Sequence, residues 1–110
     1  MTDLCEIHWT CGSIDEARKI SRYLVQEKLV ACAQIIPWIE AIYMLNNQLE
    51  TAQESKVVFK ALKNNFEKIE EIILANCNYE VPEILCVNIE RGNSSYVKWV
   101  QENSIETLHK

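Results

Sequence analysis

The 110-residue sequence predicts an α+β fold of the ferredoxin-like, split βαβ type. The expected architecture is a two-layer sandwich: a four-stranded antiparallel sheet with a long hairpin of the second and third strands, two helices on one face, and an added C-terminal helix. Three observations predict it. The hydrophobic period switches between two and 3.6 in the order strand, helix, strand, strand, helix, strand, helix. A Ser or Asn followed three residues later by Glu opens each of the two longer helical stretches. Two right-handed crossovers then bring both of those helices to the same side of the sheet.

The first strand is Asp3–Cys11, where Cys5, Ile7, Trp9 and Cys11 share one face at period two. Ser13 and Glu16 form a capping-box signature, and Ile14, Ala17, Ile20, Ser21, Leu24 and Val25 follow as an apolar stripe, so a helix runs from Ser13 to about Lys28. From Val30 to Leu45 the residues are branched and aromatic, with one phase apolar throughout, and read as a second strand. Pro37 cannot donate to a central ladder and marks a bulge or bend. Asn46 and Asn47 tolerate positive φ and make a hairpin turn. The return strand ends with Val57, Phe59 and Ala61 on one side and Lys56 and Lys60, beside Glu54, on the other.

Asn64 with Glu67 repeats the capping pattern, and Phe66, Ile69, Ile72, Ile73 and Asn76 share a helical face. A last strand runs from about Pro82 to Ile89. Gly92 and Asn93 turn the chain into a short helix with Tyr96, Trp99 and Val100 inward. Residues 1–110 therefore read as one domain, with a core of about 3–104 and a tail of about 105–110.

The hairpin is too large for its own protomer. Sixteen residues at ~3.3 Å each span about 50 Å, against ~17–20 Å for a typical strand. Its far end carries Trp38, Ile39, Ile42, Tyr43, Met44 and Leu45, an apolar patch of the kind that marks an interaction surface. This predicts an oligomer with the hairpin tip on a neighbour. A hairpin folded back at Pro37 is the rival arrangement.

Composition narrows the function. The net charge of −5, with no basic patch, argues against nucleic acid as a partner. No apolar run approaches the ~20 residues that span a membrane, and no signal peptide is visible, so a cytoplasmic protein is expected. Five cysteines, an odd number with no C-x-x-C pair, fit reduced thiols acting mainly as small apolar filler. No enzyme signature occurs: two glycines cannot build a phosphate loop, and G-x-S-x-G and H-E-x-x-H are absent. An acylphosphatase-like reaction on this fold would want an arginine where Cys11, Gly12 and Ser13 stand.

The segments LVACAQIIP from Leu29, AIY from Ala41, ESKVVFKA from Glu54, YEVPEILCVNI from Tyr79 and GNSSYVKWV from Gly92 run in register from about Glu6 to Glu102. Together they resemble the CutA, or divalent-cation tolerance, family. The resemblance implies a non-enzymatic cytoplasmic homotrimer, a role in tolerance to copper and other divalent cations, and architectural kinship with PII-type signalling trimers. It also implies an intersubunit pocket lined by Tyr79 and Glu83, with Lys60 nearby. On the alternative reading, Tyr79 and Glu80 only terminate the second helix and Pro82 blocks its continuation.

The departures bear on metal. Metal-binding members of the family place a cysteine near the end of the first strand and a His-His pair before Pro-Tyr. Those positions read Trp9, Asn76 and Cys77 here, with Asn78 in place of the proline. Cys77 keeps a soft ligand, and Cys11 points the same way as Trp9, so these two are the candidate copper ligands. Cys32 reads as core, His8 as a surface residue of the first strand, and His109 as part of the tail. The second function in view is a PII-like sensor or scaffold that holds a small anion in the intersubunit cleft near Lys60, Tyr79 and Glu83.

Overall fold

The computed structural model describes residues 3–79 and 81–107. Its strands are β1 (Leu4–Cys11), β2 (Cys32–Leu45), β3 (Gln48–Leu62) and β4 (Glu83–Asn88). Its helices are α1 (Ile14–Gln26), α2 (Phe66–Asn76) and α3 (Ser94–Glu102). Sheet order is β2-β3-β1-β4 with every neighbouring pair antiparallel, which is the ferredoxin-like arrangement.

The period-two pattern of β1 turns Cys5, Ile7, Trp9 and Cys11 toward the helices, where each is fully buried. Val57, Phe59 and Ala61 of β3 join them, under Ala17, Ile20 and Leu24 of α1 and Ile69 and Ile73 of α2. Trp9 and Phe59 stack at 6.3 Å at the centre of this layer. A smaller cluster of Leu4, Ala31, Leu62 and Val100 seats α3 at one end of the sheet.

Local chemistry sets the element ends. The Glu16 amide donates to Ser13 Oγ at 3.2 Å, so the cap is realised. Helix α1 stops at Gln26, short of the expected Lys28, because Lys28 takes a left-handed φ of 59° and closes the helix C-terminally. Helix α2 is entered through a 3₁₀ turn at Lys63–Asn65, and its N-cap is Asn65 rather than Asn64. The Asn65 side chain caps nothing. Fully buried, it donates to Leu29 O (3.1 Å) and Ile105 O (2.7 Å) and accepts from the Thr107 amide (2.9 Å), which ties down the segment after α3.

Three inward expectations are corrected. Tyr96 and Trp99 are exposed and stack on each other at 5.6 Å, because α3 packs through Val97 and Val100 and leaves them beside the sheet. Cys32 is half-buried on the sheet face away from α1 and α2, with the Tyr96 hydroxyl donating to its sulfur at 3.8 Å. Cys86 is exposed on the edge strand β4 rather than filling core.

The hairpin keeps pairing past Pro37 and does not fold back. One extra residue of β2 is accommodated between Ile36 and Ile39, with Trp38 at φ 64°. Asn46 and Asn47, at φ 51° and 64°, make the tight turn that their side chains tolerate. From the bulge outward Trp38, Ile42, Tyr43, Met44, Leu45 and Leu49 are exposed, and Ile39 alone of the expected tip residues is half-buried. The molecule is 46 Å long.

Candidate functional site

The sheet face away from α1 and α2 is built of cross-strand rows. Ile36, Lys56, Thr10 and Glu83 form one, Gln34, Val58, His8 and Leu85 the next, and Cys32, Lys60, Glu6 and Val87 the third. Ile36, Leu85 and Val87 stay exposed there. Within the rows Lys56 Nζ lies 3.6 Å from Glu83 Oε2. His8 Nε2 lies 2.9 Å from Glu6 Oε1, and Lys60 Nζ donates to Gln34 Oε1 at 2.6 Å. This face therefore combines apolar side chains with paired charges, the composition of an interface rim.

Tyr79 stands at the end of β1. Its hydroxyl donates to Glu54 Oε2 at 2.9 Å. Gly12 makes room for it: a Cβ at Gly12 would sit 2.6 Å from the phenol oxygen. Burial, followed by the hydrogen bond and charge of Glu54, pushes the phenol up to about 12. Glu54 is the cross-strand partner of Ile39, so this bond fastens the loop after α2 to the hairpin where the hairpin leaves the helices.

Of the three expected pocket residues, Glu83 meets Lys56 and Tyr79 meets Glu54. Lys60 stands two rows from Glu83, about 14 Å along the strand. Glu54, Lys56 and Gly12 are the partners that sequence reasoning did not place beside Tyr79 and Glu83. The alternation of Glu54 and Lys56 put them on one face, but only the strand register shows which of the basic side chains faces Glu83. Glu80 lies outside the described residues.

The metal positions fit a metal poorly. Trp9 is stacked in the core, and Asn76 Nδ2 donates to its own helix at Ile72 O, 2.8 Å away. Cys11 is fully buried and its thiol donates to Ser13 O at 3.2 Å. Burial first, then the charges of Glu16 and the Cys77 thiol, raise the Cys11 thiol, against a lowering by the Ser13 contact. Cys77 is half-buried beside it. No group of three or more His, Cys, Asp or Glu residues able to hold a metal occurs among the described residues. His8 projects from the face opposite Cys5 and Cys11, so it cannot act as a base for either thiol. His109 lies outside the described residues. No helix among the described residues is long and apolar enough to cross a membrane.

Comparison with known proteins agrees with this geometry. The family model described as CutA1 divalent ion tolerance protein matches residues 5–103. A divalent-cation tolerance protein CutA from Thermus thermophilus is 36% identical over 95 residues, covering 86% of this chain and 92% of that protein. A chloroplastic CutA from Arabidopsis thaliana is 29% identical over 89% of this chain, and the chain spans only about half of it, 54%. The crystal structure of CutA1 from Oryza sativa superposes with a TM-score of 0.91 at 25% identity, covering 96% of this chain and 97% of that one.

Proposed function

The chain belongs to the CutA1 divalent ion tolerance family, and from that premise we propose that it acts as a non-enzymatic, cytoplasmic homotrimer serving the response to divalent cations. The observation that carries the assembly is the uncovered hairpin tip. Trp38 is 70% exposed, Ile42 and Met44 63%, and Leu49 69%. Burying each such side chain stabilises by ~1.5–3 kcal/mol, so a neighbour that covered the tip would recover on the order of ten. Sedimentation equilibrium at micromolar concentration tests this reading. A mass of three chains is expected, and a stable single chain would overturn it.

Copper enters this reading only as a weakly held ion. Cys77 is the accessible thiol at the family's ligand positions, with Cys11 buried behind it. Cys77→Ser should weaken Cu(I) binding, and an isotherm identical to the parent's removes Cys77 from the account.

A second reading, a PII-like trimer that binds a small anion between subunits, draws on Lys60, Tyr79 and Glu83. The observation in its favour is Lys60, whose ammonium meets the neutral Gln34 amide while the neighbouring Glu6 is held by His8. A metabolite thermal-shift screen should then find an anion that raises Tm by mass action, and Lys60→Ala should abolish the shift.

A further inference from the structure

A cleft that none of the roles above uses opens between α1 and the near end of β2. Arg18, Ser21, Arg22 and Val25 line it from the helix, Ala33 and Ile35 from the strand, and its volume is about 340 Å³. Because β2 is an edge strand, no further strand of the described residues closes the cleft on its outer side. Ala33 and Ile35 pair with Phe59 and Val57, which places the cleft on the helix side of the sheet, whereas Lys60 and Glu83 belong to the other face. We propose that this cleft binds a small carboxylate with an apolar tail, of the size of a medium-chain fatty acid.

Charge of a single sign is the first feature that selects this ligand. The chain carries −5 overall, yet two guanidiniums and no carboxylate line the cleft. The cleft between α1 and α2 sets Lys19 against Glu71, and the one beside Gly92 sets Arg91 among Asp3 and Glu90, so neither favours an anion in this way. Arg18 and Arg22 stand four residues apart on α1, where like charges repel. Among the described residues Arg18 meets only the exposed carboxylate of Asp15, at 3.8 Å, and Arg22 has no ion pair. An anion between them offsets the repulsion, and a guanidinium grips a carboxylate through two parallel N–H···O bonds.

An orphan hydroxyl is the second feature. Ser21 is 4% exposed, and its Oγ is buried with no hydrogen-bond partner among the described residues. A buried hydroxyl left unpaired is destabilising, and this one sits on the same wall as both arginines. A carboxylate oxygen in the cleft supplies the acceptor it lacks. The third feature is the aliphatic lining. Val25 belongs to the apolar stripe of α1 yet is exposed, and Ala33 and Ile35 beside it are half-buried. A hydrated inorganic anion gains nothing from such a wall, whereas an alkyl tail leaves water on reaching it. The volume lies at the low end of the ~300–1,000 Å³ usual for small-molecule sites, which suits one short tail.

The test is calorimetric titration of the assembled protein with octanoate, with acetate and octanol as probes that keep only the charge or only the tail. Octanoate should saturate at one per chain, and the two partial probes should bind far more weakly. Arg22→Gln should weaken octanoate binding by about tenfold or more, the loss expected when a charge-assisted hydrogen-bonded pair is removed. Ser21→Ala should weaken it by about three- to tenfold without lowering the Tm of the free protein, because the free protein leaves that hydroxyl unpaired. Absence of saturable octanoate binding, or an isotherm unchanged in Arg22→Gln or in Ser21→Ala, would overturn the proposal. So would acetate binding as tightly as octanoate, which would show that the aliphatic wall takes no part. Binding abolished by Lys60→Ala and kept in Arg22→Gln would also overturn it, and would move the anion to the intersubunit cleft of the second reading.

Discussion

The two halves of the β2–β3 hairpin are made of the same kinds of residue and meet opposite fates. On the near side of the Ile36–Ile39 bulge, Val57 and Phe59 are fully buried. On the far side, Ile42, Met44 and Leu49 project into solvent. Apolar residues run through both halves, so residue type does not decide burial. Reach does. Helices of 13 and 11 residues are about 20 and 17 Å long, enough to roof some six residues of a strand. Strands of 14 and 15 residues run well past that roof. On the trimeric reading proposed above, the far half of such a strand finds its core only in another copy of the chain.

The largest expected effect lies under the roof. Phe59→Ala removes a fully buried ring stacked on Trp9 and should destabilise the protomer by about 3–5 kcal/mol, read from urea unfolding. A loss below about 1 kcal/mol would mean that the near half is not the anchor its burial indicates. The tip should answer differently. Ile42→Ser leaves the protomer core untouched and should weaken self-association by about 1.5–3 kcal/mol, roughly ten- to two-hundredfold in dissociation constant, read by sedimentation. Unchanged association would show that no neighbour covers this half.

The contrast also marks how far the residues could be read in advance. Element order, the buried faces of β1 and β3, the bulge at Pro37 and the turn at Asn46 and Asn47 were legible, because periodicity and turn chemistry act over a few residues. What escaped depends on packing at a distance. Tyr96 and Trp99 carry the apolar signature of an inward face, yet α3 meets the sheet through Val97 and Val100. Asn64 reads as the helix opener, but the N-cap is Asn65, whose side chain is a buried hub for Leu29, Ile105 and Thr107. At the candidate site Tyr79 and Glu83 were found as types, but their partners Glu54 and Lys56 follow from register, and register is set by the whole sheet.

A smaller effect is expected at the hairpin turn, which sets the register of both halves. Asn47 holds φ 64°, a conformation that costs a residue with a plain Cβ about 1–2 kcal/mol. Asn47→Ala should lower stability by about 1 kcal/mol, and Asn47→Gly should recover it. Equal stability of the two variants would indicate that covering by a neighbour, rather than the turn, holds the tip in place.

The smallest effect belongs to the boundary between the halves, where the Tyr79 hydroxyl donates to Glu54. Tyr79→Phe removes one neutral donor from a partly exposed carboxylate, so a loss of about 0.5–1 kcal/mol is expected near neutral pH. Its pH dependence identifies it. The folded-state value is raised from 10.0 to about 12, so the neutral phenol contributes in full below about pH 10, and that contribution is lost as the pH climbs toward 12. Urea unfolding repeated across that alkaline window should show the parent losing stability faster than Tyr79→Phe. The Tyr96 phenol is also raised, by burial and then by Cys32, and it sits on α3 away from the hairpin boundary. If the alkaline loss survives Tyr79→Phe and disappears in Tyr96→Phe, the group that titrates belongs to the α3 contact with Cys32. The Tyr79–Glu54 bond would then not be what fastens the hairpin where it leaves its roof.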